Sequence, residues 1–130
     1  MERLLAVREF TVSAGDGRRL VAATSGWLLV RTETRRPVRQ PEEIVALGRN
    51  DLGRAIDDHF AKLPEAGACE SHRDFAVRPS DLDANGHANN VAIITWMLEA
   101  LPNALQRSAH LRGLEVEFRA EVLLDECVRS

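Results

Sequence analysis

The sequence predicts an α+β fold, with strands towards both ends of the chain and one apolar helix in its second half. Segments near both ends alternate apolar and polar residues, a pattern typical of half-buried strands. Residues 90–101 instead repeat apolar side chains at helical spacing. The chain has 130 residues, a length typical of one globular domain and short for two. Its composition, 45% apolar and 28% charged, is ordinary for a globular domain.

Composition and charge argue against several classes of protein. The formal charge of −3 gives no support for binding nucleic acid, which favours a basic footprint. No stretch approaches the roughly 20 apolar residues of a membrane span, and charge interrupts the first residues too early for a secretory signal. Cys69 and Cys127 cannot make a disulfide framework, so we expect a reducing cytoplasm.

Residues 3–12 and 19–31 are predicted to form two strands of a hairpin. Both segments are rich in residues that favour strands. Between them, Asp16 and Gly17 supply the positive φ that a tight turn needs. Gly26, inside the second strand, predicts either a bulge or a close approach by another segment.

The middle of the chain is predicted to be a connector followed by helix. Residues 32–41 hold two prolines and several charges, so we expect an exposed connector. Residues 42–62 are predicted to be helical, because Pro41 is followed by two acids and Asp51 can cap a second short helix. A linker is expected at 63–68.

The second half is predicted to run strand, loop, helix, strand. A short strand at 74–78 is followed by a polar loop at 79–89. The helix at about 90–101 has a wide apolar stripe, so we expect it to be buried on much of its surface until Pro102 ends it. Residues 114–122 alternate strictly and give the clearest strand pattern.

Signatures of metal and nucleotide chemistry are weak. Cys69 and His72 have the spacing of a metal-binding pair, but zinc needs three or four ligands and no second close pair exists. The sequence contains neither a Gly-x-Ser-x-Gly elbow nor a phosphate-binding loop. We therefore expect no metal and no cofactor.

The polar loop before the apolar helix concentrates the residues that could carry chemistry. Asp83, Asn85 and His87 alternate along the chain, so an extended loop would point all three side chains to one side. A helix N-terminus presents unpaired N–H groups that can polarise a carbonyl, and a nearby carboxylate can act as base or nucleophile. The alternative is an ordinary loop with a helix cap, because both use the same residue types.

Residues 78–99, with the sequence RPSDLDANGHANNVAIITWMLE, resemble the signature of hotdog-fold thioesterases. More narrowly, they resemble the second hotdog of acyl-acyl-carrier-protein (acyl-ACP) thioesterases. Residues 22–30 and 34–37 resemble the end of that family's first hotdog, and 114–130 resemble the strand after the second hotdog's helix. The resemblance implies a hotdog-like fold in which an antiparallel sheet wraps around the helix, with fewer elements than a complete member.

This resemblance divides the chain into three segments. Residues 1–36 correspond to a strand hairpin at the end of a first hotdog, 37–72 to a helical linker, and 73–130 to the start of a second hotdog. The chain is then either a fragment or one permuted hotdog completed by the hairpin. A permuted hotdog would have exposed strand edges and would need a partner, so we expect a homodimer.

The resemblance also implies the site residues. Asp83, Asn85 and His87 match the family's catalytic loop, and Glu121 matches a catalytic carboxylate on the later strand. Val122 stands where plant members often have cysteine, which argues against a thiol mechanism at this site. The expected substrate-binding residues around the carbonyl and helix N-terminus are Gly86, Ala88, Asn89, Asn90 and Trp96.

The position of Glu121 leaves one question open. Alternation places it on the polar face of the predicted strand, where it is either merely solvated or brought to the Asp83 loop across an interface between hotdogs. The functional interpretation requires the second arrangement.

The function implied by the resemblance is hydrolysis of a fatty acyl thioester. Acyl-ACP is the expected substrate and free fatty acid the product. One alternative is a single-hotdog acyl-CoA thioesterase, so the partner is acyl carrier protein or coenzyme A. Others are a non-catalytic domain that binds acyl chains or partners, and a plain structural domain, because fold alone does not decide function.

Overall fold

The computed structural model describes residues 4–48, 51, 53–65, 67 and 72–130, which belong to two compact units. The first unit is Met1–Ala61 and the second is Lys62–Ser130. These units reflect contacts within the chain and do not test the three segments at 1–36, 37–72 and 73–130, which stay a prediction. Within the described part of the chain, no helix is long and apolar enough to cross a membrane.

The first unit is built on the predicted hairpin, which the structure confirms. Strand β1 (Leu5–Ser13) pairs antiparallel with strand β2 (Arg19–Val30). Gly17 has a φ of +83°, the left-handed conformation that the tight turn requires. The Asp16 carboxylate accepts a hydrogen bond from the Arg18 N–H at 2.9 Å, which closes the turn.

Gly26 marks a close approach, one of the two outcomes that the sequence predicts for it. A Cβ at this position would lie 3.2 Å from the Leu5 side chain and 3.2 Å from the Phe60 ring. The segment carrying Phe60 therefore lies over this face of the hairpin. The Ala55 N–H donates to the Glu9 carboxylate at 3.0 Å and fixes the same segment to β1.

The exposed connector at 32–41 contains a short strand that sequence reasoning missed. Strand β3 (Pro37–Val38) pairs antiparallel with the end of β2, so the sheet has the order β1-β2-β3. Two prolines lowered the expectation of a strand here, but Pro37 lies at an edge, where its missing N–H costs little.

The predicted helix over 42–62 is wrong for most of its length. Helix α1 spans only Glu42–Ala46, and no described residue from 47 to 62 is helical. The second short helix, predicted to begin after Asp51, would include Leu52, which lies outside the described residues. Gly53 and Phe60 have φ values of +69° and +52°, which a right-handed helix cannot accommodate. The contacts of this segment with the hairpin thus prevail over its helical periodicity.

The second unit contains the predicted short strand and the predicted helix. Strand β4 (Asp74–Ala76) pairs antiparallel with strand β5 (Cys127–Arg129), and helix α2 spans Asn90–Glu99. A second helix, α3 (Asn103–Ser108), follows Pro102 and was not predicted. The α+β class is confirmed by these strand pairs and helices.

The core of the second unit is small and lies where α2 meets β4. Val77, Ala88 and Trp96 are the buried apolar residues of the described chain. The Phe75 ring stacks on the Trp96 ring with centroids 5.9 Å apart. Trp96 is the only buried residue of α2, and Val91 is 68% exposed, so the expectation that this helix is buried on much of its surface is wrong.

The predicted strand at 114–122 is also wrong, because the structure pairs none of these residues as a strand. Side chains hold the segment instead. The Arg119 guanidinium donates to the Leu63 carbonyl at 2.8 Å and to the Glu117 carboxylate at 2.9 Å, and Glu117 accepts the Leu63 N–H at 3.2 Å. Alternation shows which face of a strand could be buried, but a strand also needs an adjacent edge.

Candidate active site

The polar loop ahead of α2 forms a tight turn. The Gly86 N–H donates to the Asp83 carbonyl at 3.1 Å, and the Asp83 N–H donates to the His87 carbonyl at 2.8 Å. Leu82 and Ala88 form an antiparallel bridge on either side of the turn, and Gly86 has a φ of +78°. The extended conformation that would align three side chains by alternation is therefore not adopted.

The Asp83 carboxylate fixes this turn from inside. Asp83 Oδ1 accepts the Asn85 N–H at 2.8 Å and the His87 N–H at 3.2 Å, while Asp83 Oδ2 lies 3.5 Å from the Asn85 amide nitrogen. The hydrogen bond from the Asn85 N–H is the main reason that the pKa of Asp83 lies below its ordinary value. Asp83 is thus an ionised carboxylate that also has a structural role.

His87 and Glu121 come together within the second unit. His87 Nε2 lies 3.5 Å from Glu121 Oε2. Backbone pairing explains this proximity. His87 forms an antiparallel β-bridge with Leu123, and the Ala88 N–H donates to the Val122 carbonyl at 2.8 Å. The expectation that Glu121 reaches the loop only across an interface between hotdogs is wrong, since both groups lie in one compact unit.

The backbone N–H groups expected to polarise a carbonyl are already used. The Gly86 N–H and the His87 N–H both donate to Asp83, and the Ala88 N–H donates to Val122. A substrate carbonyl could bind these groups only by displacing bonds that hold the loop. The binding role expected for the N–H groups at 86–88 therefore stays a prediction, and it requires exchange of these hydrogen bonds for bonds to substrate.

The start of α2 is capped by Asn89. The Asn89 side-chain oxygen accepts the Val91 N–H at 2.9 Å, and the Asn89 N–H donates to the Asp81 carbonyl at 2.7 Å. Such capping satisfies one of the donors that a helix N-terminus leaves without an intrahelical partner. Asn89 therefore has a structural role beside the substrate-binding role predicted for it.

An ion pair that sequence reasoning missed supports the loop. Asp81 is buried, and Arg78 binds it through two side-chain nitrogens, Nε to Oδ2 at 3.1 Å and Nη2 to Oδ1 at 3.2 Å. The Arg78 N–H also donates to Asp81 Oδ2 at 2.9 Å. These hydrogen bonds lower the pKa of Asp81. An arginine and an aspartate three residues apart were visible in the sequence, but their burial was not.

A cavity of about 300 Å³ lies beside the first turns of α2. Two of the predicted binding residues, Asn89 and Trp96, line it. Asp83 and Glu121 do not line this cavity. The described residues contain no group of three or more histidine, cysteine or acidic side chains that could hold a metal, and Cys69 lies outside them.

Family comparison accounts for nearly the whole chain. The acyl-ACP thioesterase C-terminal domain matches residues 65–130, and the acyl-ACP thioesterase N-terminal domain matches residues 1–47. A dodecanoyl-[acyl-carrier-protein] hydrolase of Cinnamomum camphora is 31% identical over 88% of this chain, and a palmitoyl-acyl carrier protein thioesterase of Gossypium hirsutum is 33% identical over 95%.

Comparison with solved structures points to the same family as the sequence comparison. The 12:0-ACP thioesterase from Umbellularia californica matches 99% of this chain with a TM-score of 0.86 and 28% identity, which supports the predicted incomplete hotdog. The chain spans 31% and 32% of the two curated relatives and 49% of the solved one. Since one family domain alone covers half of the residues, this chain belongs to the acyl-ACP thioesterase family.

Proposed function

We propose that this chain hydrolyses fatty acyl thioesters, with acyl-ACP as substrate and free fatty acid as product. Family membership supports the reaction class, because the curated relatives are named as hydrolases or thioesterases of acyl carrier proteins. The observation that carries the proposal is the pair of His87 and Glu121, 3.5 Å apart beside the ionised Asp83. A carboxylate that orients an imidazole is a recurring arrangement for proton transfer.

His87 is the proposed general base. A carboxylate with a lowered pKa is a weak base, so Asp83 suits the chemistry less well as a proton acceptor than an imidazole does. His87 accepts a proton from water, the water oxygen bonds to the thioester carbon, and the carbon–sulfur bond breaks. The proton then passes to the departing thiolate. Glu121 orients the imidazole and stabilises its protonated form.

Asp83 has a second proposed role as a nucleophile. Asp83 Oδ1 accepts two backbone N–H groups, whereas the one contact of Oδ2 among the described residues is with the Asn85 amide nitrogen at 3.5 Å. Attack by Oδ2 on the thioester carbon would release the thiolate and leave an acyl anhydride, which water then hydrolyses. Hydroxylamine distinguishes the routes, because it traps an anhydride as the acyl hydroxamate faster than it reacts with the thioester.

Substrate choice is tested by comparing carriers. The full chain is incubated with the same acyl group on acyl carrier protein and on coenzyme A, and release of free thiol is followed. We expect a higher kcat/KM with acyl-ACP and its loss in His87→Gln. A higher kcat/KM with acyl-CoA would favour the acyl-CoA thioesterase, and no turnover with either carrier would contradict the proposal.

A non-catalytic binding domain is the second candidate. One observation favours it: the cavity beside α2 is lined by neither Asp83 nor Glu121. In that case acyl-ACP or acyl-CoA would bind without turnover, and His87→Gln would leave the affinity unchanged. The carrier comparison separates this candidate from the enzyme, because it measures turnover directly.

Homodimer formation and a cytoplasmic location are proposed as well. Large apolar side chains on the hairpin are exposed, including Phe10 at 52% and Val21 at 55%, which supports a partner surface. The cysteine content supports a reducing compartment, and the curated plant relatives are named as chloroplastic.

A further inference from the structure

Glu126 lies outside the candidate site, at the end of the turn that follows Glu121 along the chain. We propose that Glu126 is a positioning residue, whose side chain holds the segment carrying Glu121 in place against His87. This inference rests on the proposed thioesterase function. It adds to the site a residue that acts only through the groups around it.

The backbone of Glu126 is held by the core of the second unit. The Val77 N–H donates to the Glu126 carbonyl at 3.0 Å, and Val77 is one of the buried apolar residues. The next residue along the chain, Cys127, begins β5, which pairs with β4. Glu126 therefore has a fixed place in the fold, from which its side chain can hold the segment before it.

The Glu126 carboxylate binds back to Leu123. Glu126 Oε2 accepts the Leu123 N–H at 2.8 Å, and the Glu126 N–H donates to the Leu123 carbonyl at 3.3 Å. These two hydrogen bonds close the turn at residues 123–126. A carboxylate makes a stronger acceptor for an N–H group than a neutral carbonyl does. The side-chain bond is therefore the shorter and the stronger of the two that close the turn.

The backbone conformation of this turn increases its dependence on the side-chain bond. Asp125 has a φ of +65°, in the left-handed region that glycine adopts freely and other residues adopt at a cost in free energy. Without the Glu126 carboxylate, the 3.3 Å backbone hydrogen bond would have to offset that cost. We therefore expect the turn to open more often when the carboxylate is removed.

Leu123 connects the turn to the proposed reacting groups. It forms the antiparallel bridge with His87, and the adjacent Val122 carbonyl accepts the Ala88 N–H at 2.8 Å. Glu121 lies two residues before Leu123, and its Oε2 atom is 3.5 Å from His87 Nε2. That distance already exceeds the usual length of an N–H···O hydrogen bond. A small displacement of Leu123 would therefore separate the two side chains.

The test compares Glu126→Ala, which removes the acceptor, with Glu126→Gln, which keeps an oxygen acceptor on a side chain of the same length. Glu115→Ala is the matched control, because Glu115 is also exposed and lies outside both the turn and the loop. With acyl-ACP as substrate, we expect Glu126→Ala to lower kcat on the order of 10–10²-fold and to leave KM within about twofold of wild type. Glu126→Gln and Glu115→Ala should keep kcat within about twofold of wild type.

A double variant separates positioning from a general loss of stability. When His87→Gln is already present, Glu126→Ala should change the residual kcat by less than about twofold, since the pair that it positions is already disrupted. A loss of the same size with and without His87→Gln would overturn the inference. Wild-type kcat in Glu126→Ala, or equal losses in Glu126→Ala and either Glu126→Gln or Glu115→Ala, would overturn it as well.

Amide hydrogen exchange tests the same contact without turnover. The Ala88 N–H, which is bonded to Val122, should exchange faster in Glu126→Ala than in wild type and at the wild-type rate in Glu126→Gln. Unchanged exchange at Ala88 in Glu126→Ala would overturn the positioning role. A wild-type chain that exchanges as expected but hydrolyses no acyl-ACP would instead contradict the proposed function, so the two failures are distinguishable.

Discussion

Asp83 shows how one carboxylate can hold a turn with one oxygen and leave the other for the proposed reaction. Its Oδ1 atom accepts two backbone N–H groups, and this leaves Oδ2 only loosely held by Asn85. The two interpretations of this loop, helix-proximal turn and reactive site, are therefore compatible. The family resemblance identified the residue, and the hydrogen bonds distinguish the oxygen that holds the turn from the oxygen proposed to react.

The contact of His87 with Glu121 predicts that the two side chains act as a unit. We expect His87→Gln and Glu121→Gln each to lower kcat, by up to the roughly 10²–10⁴-fold attributed to general acid–base catalysis. The double variant should be no slower than the slower single variant, because either change already disrupts the proton transfer. Steady-state kcat values from the four proteins test this. Fully multiplicative losses would contradict the coupling.

Asp81 predicts an acid-dependent loss of stability. Hydrogen bonds from Arg78 place the pKa of Asp81 in the folded protein below its ordinary value of 3.8. Its ionised form is thus favoured by folding, and the stabilisation is present above the unfolded pKa and lost as pH falls through the folded pKa. Urea unfolding of wild type and Asp81→Asn should show a difference at pH 6 that shrinks below about pH 4. A difference that does not change with pH would contradict this role.

At the scale of elements, the hairpin and the segment over it depend on the absence of a side chain at Gly26. Gly26→Val should crowd Leu5 and Phe60, which already lie 3.2 Å from an ideal Cβ. Overpacking of this kind costs about 1–3 kcal/mol of unfolding free energy. Chemical denaturation measures the change, and the same substitution in a Phe60→Ala background should cost less.

Gly15→Val is the matched control for this prediction. Gly15 lies in the hairpin turn region, and an added Cβ there would meet nothing within 4 Å. We expect its effect on stability to be smaller than that of Gly26→Val. Equal costs at the two glycines, or no relief from Phe60→Ala, would show that the close approach does not determine the strand's packing.

Local sequence pattern predicted the hairpin, α2 and the short strand β4, although the partner of β4 is the distant strand β5. The hairpin, the short strand and α2 depend on turn chemistry, strand propensity and helical spacing, so their bounds lie near those expected. The helix predicted over 42–62 failed because Phe60 packs on the hairpin with a positive φ. The strand predicted at 114–122 failed because no described strand edge pairs with it, and its Glu117 and Arg119 side chains bind the distant Leu63.

In the candidate site too, the sequence identifies some residues, whereas the contacts between them appear only in the structure. Resemblance selected Asp83, His87 and Glu121, and the structure brings the last two within 3.5 Å. The pairing of Arg78 with a buried Asp81 was not predicted, because burial depends on packing against residues that hydropathy does not identify. The use of loop N–H groups by Asp83 likewise depends on a turn conformation that composition leaves open.

For the whole molecule, exposed apolar surface is the dominant physical feature. The first unit contains no buried residue among those described, and the second contains four: Val77, Ala88, Trp96 and Asp81. Large exposed apolar patches mark interaction surfaces or aggregation sites. The chain also spans about a third of its curated relatives, which have correspondingly more residues with which to cover such surfaces.

The exposed hairpin face predicts concentration-dependent association of this chain. Phe10 lies on the opposite face of β1 from Glu9, which binds the covering segment, and it is 52% exposed. Phe10→Lys should shift sedimentation equilibrium towards monomer, whereas Thr11→Lys, on the face of Glu9, should do so less. A wild-type chain that remains a stable monomer at all concentrations would rule out the homodimer.

Single-turnover hydrolysis of acyl-ACP tests the proposed site most directly. The full chain, His87→Gln and the exposed control His59→Gln are compared by fatty acid release, with folding verified by circular dichroism. We expect His87→Gln to be about 10²–10⁴-fold slower than wild type and His59→Gln to be within twofold. Fatty acid release by folded His87→Gln at the wild-type rate would contradict the assignment of His87 as the general base.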